Sequence, residues 1–160
     1  MVRVVTLLAI GSLVVLGCGP RGREDKVVMV ADDDPKMNAA IDKARQTVDT
    51  FIQALTEPKP SQTSFSVKLA IVDGKHTEHM WLDGVRFDGK KFHGTINNDP
   101  NNVKNVKLGD KASIEPSRIS DWMFVENGKL VGGYTIRVLR DGLSGKERKE
   151  LDDGLPFTID

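Results

Sequence analysis

The feature that most restricts the fold of this chain is a change in the period of its apolar residues, from 3.6 to 2, across a proline-marked junction. Met37, Ala40, Ile41, Ala44, Val48, Phe51, Ile52 and Leu55 recur at spacings of three and four. They form one apolar stripe on a helix of about five turns. Asp34 stands where an N-cap belongs and Pro35 at the first helical position, where its missing N–H costs nothing. Glu57-Pro58-Lys59-Pro60-Ser61 ends the helix, because each proline drives the residue before it out of the α region. Directly afterwards Phe65, Val67, Leu69 and Ile71 alternate with Ser66, Lys68 and Ala70, the pattern of a half-buried strand. The helical stripe needs a sheet to lie on.

Asp73-Gly74, Asp88-Gly89 and Asn127-Gly128 each sit between strand-like runs and supply the positive φ values of tight hairpins. The implied strands are 64–72, 75–82, 84–88, 90–97, 111–116, 121–126 and 129–140. Asn98-Asp99-Pro100 reads as the cap and first turn of a short helix through Val103 and Val106. Ser144-Gly145-Lys146-Glu147 matches a capping box and opens a last short helix that stops before Gly154 and Pro156. The expected fold is α+β: one long N-terminal helix packed on a curved, mainly antiparallel sheet of about six to seven short strands, with a short C-terminal helix.

The N-terminus carries an address. Arg3 is its sole charge, Val4 to Leu16 are apolar around Gly11 and Ser12, and Val15-Leu16-Gly17-Cys18 closes the segment. This is a charged start, an apolar stretch short for a bilayer, and a small residue before cysteine, a pattern resembling the one bacterial lipoprotein processing recognises. Residues 1–17 are therefore read as a lipoprotein signal peptide, Cys18 as the lipidated residue, 18–33 as a charged, Gly-rich flexible tether and 34–160 as a single globular domain. Gly19, in place of an aspartate, favours an outer-membrane anchor with the domain facing the periplasm.

The chain has 23 basic and 23 acidic residues, and the signal holds one of the basic ones, Arg3. That balance gives no footprint for nucleic acid. The single cysteine is the lipidated one, so the domain has no disulfide, thiolate nucleophile or cysteine-based metal site to draw on.

His79-Met80-Trp81-Leu82, Gly94 through Asn97 to Pro100, Ile119-Ser120-Asp121-Trp122-Met123 and Val131-Gly132-Gly133-Tyr134-Thr135-Ile136-Arg137 occur in an order that resembles the YegJ-like family of uncharacterised bacterial proteins. That family is defined by the domain of unknown function 2314. The resemblance spans about Phe65 to Arg140. It implies a module found in exported bacterial proteins among others, and it brings no catalytic residues with it.

Possible metal ligands cluster at His76-Thr77-Glu78-His79, with His93 as a distant third candidate, and the sequence predicts no metal and no cofactor there. A two-residue turn at Asp73-Gly74 would set His76 across from Ile71, Glu78 from Leu69 and Met80 from Val67, on the apolar face. A three-residue loop with a bulge would put Trp81 and His79 there and leave Glu78 in solvent. A buried Glu78 needs a partner such as Arg137 or a histidine. Pairing through Asn127-Gly128 places Trp122 opposite Gly133 and Asp121 opposite Tyr134. The packing reading has the glycine pair making room for the indole and Asp121 accepting hydrogen bonds. The binding reading has Trp81, Trp122, Tyr134 and Arg137, with Glu78 and Asp121, converging on one concave surface. The chain has no nucleophile elbow, phosphate-cradling glycine loop or H-E-x-x-H motif. The expected function is a lipid-anchored, non-catalytic binding module for a protein or envelope component. The rivals are an immunity or inhibitor protein against a toxin, and a small metal-dependent hydrolase using His76, Glu78 and His93.

Overall fold

The computed structural model describes residues 2–6, 27–31 and 34–160. Val2–Thr6 (β1) and Val27–Ala31 (β2) pair antiparallel, and β1 runs parallel to a later strand at Val4↔Glu78 and Val5↔His79. β1 falls within the expected signal and β2 within the expected flexible tether, so both segments contain a strand, while Cys18 and the other residues of these segments lie outside the described residues.

Asp34 caps the first helix as its position predicts, its Oδ1 accepting the Met37 N–H at 2.9 Å. The single long helix is nevertheless two, Pro35–Gln46 (α1) and Val48–Thr56 (α2), parted at Thr47. An unbroken helix would pair the Ala44 carbonyl with the Val48 N–H. Here the Trp122 Nε1–H donates to that carbonyl at 2.9 Å, and Thr47 Oγ1 donates back to Lys43 O at 2.7 Å. A side chain inserted into the ladder and a back-bonding threonine are both established causes of a helix break. The apolar stripe consequently serves two cores. Met37 and Ile41 pack with Trp81, Met123, Leu130 and Ile136, whereas Ala44, Val48 and Phe51 pack with Val67, Met80 and Trp122.

Six strands follow: Gln62–Asp73 (β3), His76–Phe87 (β4), Phe92–Ile96 (β5), Lys111–Ile114 (β6), Asp121–Glu126 (β7) and Lys129–Gly132 (β8). They lie side by side as β6-β5-β4-β3-β7-β8, every pair antiparallel. Register sets the two faces. Val67 pairs with Leu82 and Trp122, so these residues and Leu69, Met80, Phe92 and Phe124 share the apolar face under α2. Lys68 pairs with Trp81 and Asp121, which share the opposite face with Met123 and Val125. The α+β class stands, and helices on both faces replace the expected curved sheet on one helix.

Local departures from the sequence pattern have local causes. The strands expected at 75–82 and 84–88 are one, bulged between Asp83 and Arg86, with Gly84 at φ +61°. The hairpin after β3 pairs Asp73 with His76, so its two-residue turn is Gly74-Lys75 rather than Asp73-Gly74, and Glu78 faces Ile71 rather than Leu69. No helix forms over 98–106. There the Glu78 carboxylate accepts the N–H groups of Asn101 and Asn102 at 2.9 and 3.0 Å and ties the loop to β4. The strand expected over 129–140 stops at Gly132, and Tyr134–Asp141 is a helix (α3). Gly132 and Gly133 take φ of +73° and +60°, a left-handed pair that turns the chain out of the sheet. The predicted capping box is present at Ser144, opening the helix Gly145–Asp153 (α4). Arg140 clasps α4 to α3 through both oxygens of Asp152, at 2.7 and 2.8 Å.

Candidate functional site

The residues expected to form one concave surface are distributed over both faces of the sheet. Trp122 and Trp81 are each 1% exposed and point to opposite sides. Trp122 belongs to the apolar face, where its ring lies 5.5 Å from that of Phe51 and meets Tyr134 edge-on at 5.7 Å. A Cβ at Gly132 would collide with the Trp122 carbonyl and ring, so this glycine makes room for the indole, as the pairing argument expects. Tyr134 shares a hydrogen bond with Thr47 at the helix break. Arg137 reaches the carbonyls of Gly132, Leu130 and Asp160 and pins the C-terminus to β8. It is not the partner of Glu78.

Glu78 is fully buried. Its partner is backbone: the N–H groups of residues 101–103 converge on its carboxylate, which satisfies the buried charge and fixes the loop after β5. His76 is exposed at the hairpin end, and His93 binds Asp88 at 2.7 Å. His76, Glu78 and His93 are thus held apart, and no group of three metal-ligating side chains gathers among the described residues.

At the centre of the polar face two of the sequence-derived candidates, Asp121 and Trp81, meet two residues that the sequence did not single out, Lys68 and Thr135. Lys68 and Asp121 are fully buried neighbours on β3 and β7. Lys68 Nζ donates to Thr135 Oγ1 at 3.2 Å, and that hydroxyl donates to Asp121 Oδ2 at 2.6 Å. On its other side Lys68 Nζ lies over the Trp81 ring, 5.1 Å from the centroid. The Asp121 carboxylate also accepts the N–H groups of Trp122, Tyr134 and Thr135, so it caps α3 from another strand because Gly133 has no side chain to do so. Burial pulls the Lys68 ammonium from 10.5 down to about 8, against the attraction of Asp121. Burial raises the Asp121 carboxyl, against Lys68 and the Thr135 hydrogen bonds. With no solvent path to the amine, the group braces α3 against the sheet rather than meeting a substrate. Alternation alone marked Lys68 as a polar, outward residue. Its value as a signal depends on a register that brings Asp121 and Trp81 to its flanks.

The same face continues outward into solvent. Asp83 accepts from Ser66 Oγ at 2.7 Å and from the Asn97 side chain. Beyond it, Arg86 pairs with His93 and His93 with Ser113, and Thr95 pairs with Lys111. These side chains line an open cleft of about 600 Å³ whose walls are completed by Gly84, Gly94 and Ala112. Arg86, Lys111 and Ser113 are exposed, and no helix among the described residues closes this part of the sheet. Lys111 Nζ is steadied by Thr95 Oγ1 at 2.6 Å. The Asp88 carboxyl is held below the usual carboxylate range by the Lys91 N–H, then by His93 and the Lys90 N–H, so it keeps its charge beside the imidazole.

Three comparisons frame this geometry. The sequence profile of a family described as "Uncharacterized protein conserved in bacteria (DUF2314)" matches residues 34–157. The uncharacterized protein YegJ of Escherichia coli (strain K12) is 39% identical over 127 residues, covering 79% of this chain and 82% of that protein. A protein of Neisseria meningitidis serogroup B named for ankyrin repeats is 35% identical, covering 79% of this chain and 53% of its own length. No solved structure matches the chain.

Proposed function

From the premise that this chain belongs to the DUF2314 family of bacterial proteins, we propose that it is a lipoprotein anchored through Cys18, carrying a non-catalytic binding module that faces the periplasm. The observation that carries the binding reading is the unequal covering of the sheet. One face is filled by aromatic packing, while the β4–β5–β6 part of the other leaves Arg86, Lys111 and Ser113 exposed around an open cleft. A polar, concave, uncovered sheet face is a recognition surface in physical terms. The Neisseria relative supports a modular role, since its printed name attaches this domain to ankyrin repeats, which present extended binding surfaces. The anchor reading rests on the Val15-Leu16-Gly17-Cys18 pattern. Processing before Cys18 removes β1, which meets β4 at two register positions, and retains β3 to β8.

Two measurements test the two halves of the proposal. Mass spectrometry of the membrane fraction should find Cys18 acylated as the first residue, and Cys18→Ser should leave the protein unprocessed or released. An unmodified Cys18 on a chain still beginning at Met1 would remove the anchor. A photo-crosslinking residue placed at Lys111 in the native host should yield adducts, whereas one at the exposed Val72, outside the cleft, should not. Adducts at neither position would remove the binding module and leave the anchor untouched.

A further inference from the structure

We infer that the cleft of β4, β5 and β6 receives a short acidic segment of a protein partner, its carboxylates paired with Arg86 and Lys111. The inference rests on the binding-module reading and names the chemistry of the partner that module takes. Among the cleft residues three are basic, Arg86, His93 and Lys111, and none is acidic. Register sets them in two adjoining rows, Arg86↔His93↔Ser113 and Thr95↔Lys111, on strands spaced about 4.8 Å apart. The Arg86 side chain has neither a hydrogen bond nor an ion pair with a described residue and lies exposed on the bulged part of β4, its planar donor fork open to a carboxylate. Lys111 is already oriented by its bond to Thr95 Oγ1, so less side-chain freedom is lost when an anion arrives. The small residues Gly84, Gly94 and Ala112 keep the walls low enough for a chain segment to enter.

The surroundings decide among anionic occupants. Asp88 holds His93 at 2.7 Å and Glu115 holds Lys91 at 3.8 Å, so both rim carboxylates are already partnered and the exposed cations of the cleft are Arg86 and Lys111. Two exposed cations match the one or two carboxylates of a short segment and are too few to hold a long polyanion or an anionic bilayer, which take larger clusters of basic residues. A free small anion would meet exposed cations in high dielectric and bind weakly, whereas a protein segment adds contact area along the cleft. A second copy of this chain would have to bring its own acidic residues, a case the test includes.

The experiment uses the full chain, followed by amide NMR during titration with an N-acetylated tetraglutamate peptide, inorganic phosphate, and vesicles containing anionic phospholipid. Tetraglutamate should shift amides of residues 84–86, 93–95 and 111–113, saturably, and the combined Arg86→Glu and Lys111→Glu variant should weaken it at least tenfold. The effect should diminish as salt rises. A response to phosphate equal to that of the peptide, recruitment to vesicles through these residues, or no shift at all would each overturn the inference. So would concentration-dependent dimerisation that the same charge reversal abolishes. Crosslinks from Lys111 to a neutral or basic partner would overturn it while leaving the binding-module reading in place. The Arg86→Gln and Lys111→Gln versions, which neutralise without reversing charge, guard against an effect of misfolding: they should weaken the peptide by an intermediate factor with an unchanged amide spectrum elsewhere.

Discussion

Across the same six strands, the face under α2 is closed by aromatic rings and the opposite face is organised around charge. On the first, Phe51 lies 5.5 Å from both Phe92 and Trp122, and Phe65 stacks on Phe124 at 5.2 Å. On the second, an ammonium and a carboxylate are fully buried beside a threonine hydroxyl, with the Trp81 indole N–H and the Ser120 hydroxyl buried without a hydrogen-bond partner. Area burial stabilises the first face in proportion to the surface removed from water. The second face also buries an apolar core around Trp81 and Met123, but the Lys68–Asp121 group within it gains little net stability, because desolvating the two consumes most of their mutual attraction. What it gains is position: Asp121 can accept the Tyr134 and Thr135 N–H groups only if α3 starts where it does. Apolar packing on both faces holds the fold together, and the buried charge on the second sets where its elements meet.

The largest test of that division is at the tryptophans. Trp122→Ala should cost about 3 to 5 kcal/mol in denaturant melts, since it empties the centre of the aromatic face and leaves the Ala44 carbonyl without its indole donor. Trp81→Ala should also cost several kcal/mol, about 3 by the same reasoning, because the ring is buried and not displayed. A loss below about 1 kcal/mol for Trp81→Ala would mean that the polar face is soft and re-solvates readily.

A smaller effect separates the faces by pH. Lys68 holds its proton less tightly in the folded chain than at its ordinary value of 10.5, releasing it near 8. Between those values the unfolded chain carries a proton that the native one lacks, so this group makes stability rise as pH climbs from about 8 to about 10.5. The gain is up to about 3 kcal/mol, relative to a Lys68→Met variant that should show no such rise. Equal slopes for both proteins would show that the ammonium is solvated and the brace open. The smallest effect belongs to the cleft. Arg86→Glu with Lys111→Glu should change stability by about 0.5 kcal/mol or less, since both side chains stand in solvent. A large loss there would turn the recognition surface into a structural one.

Much of the architecture was written locally. The Asp34-Pro35 start, the alternation of Phe65 to Ile71, the turn at Asn127-Gly128 and the capping box at Ser144 all involve partners within a few residues. The failures share the opposite property. The break at Thr47 involves an indole 78 residues from Ala44, and the loop after Asn98 is tied down by a carboxylate 23 and 24 residues before Asn101 and Asn102. The concave aromatic surface failed because alternation sorts residues to two faces without saying which strands adjoin, so Trp81 and Trp122 could be imagined together. The register separates them.

The sequence by itself therefore determined what short-range geometry controls: an α+β chain, the hairpins, the caps, a lipobox-like segment ending at Cys18 and a balanced charge. Tertiary structure alone decided where charge would be hidden and where it would remain open. Lys68 and Lys111 are each a polar residue on a strand, and nothing within four residues of either tells them apart. Lys68 is buried because β3 is central, with β4 and β7 on its flanks and Thr135 above it, whereas Lys111 is exposed because β6 lies at the end of the sheet, where no helix among the described residues covers it. Burial depends on which surfaces a whole fold brings into contact, and a strand's sequence records its own alternation but not its neighbours.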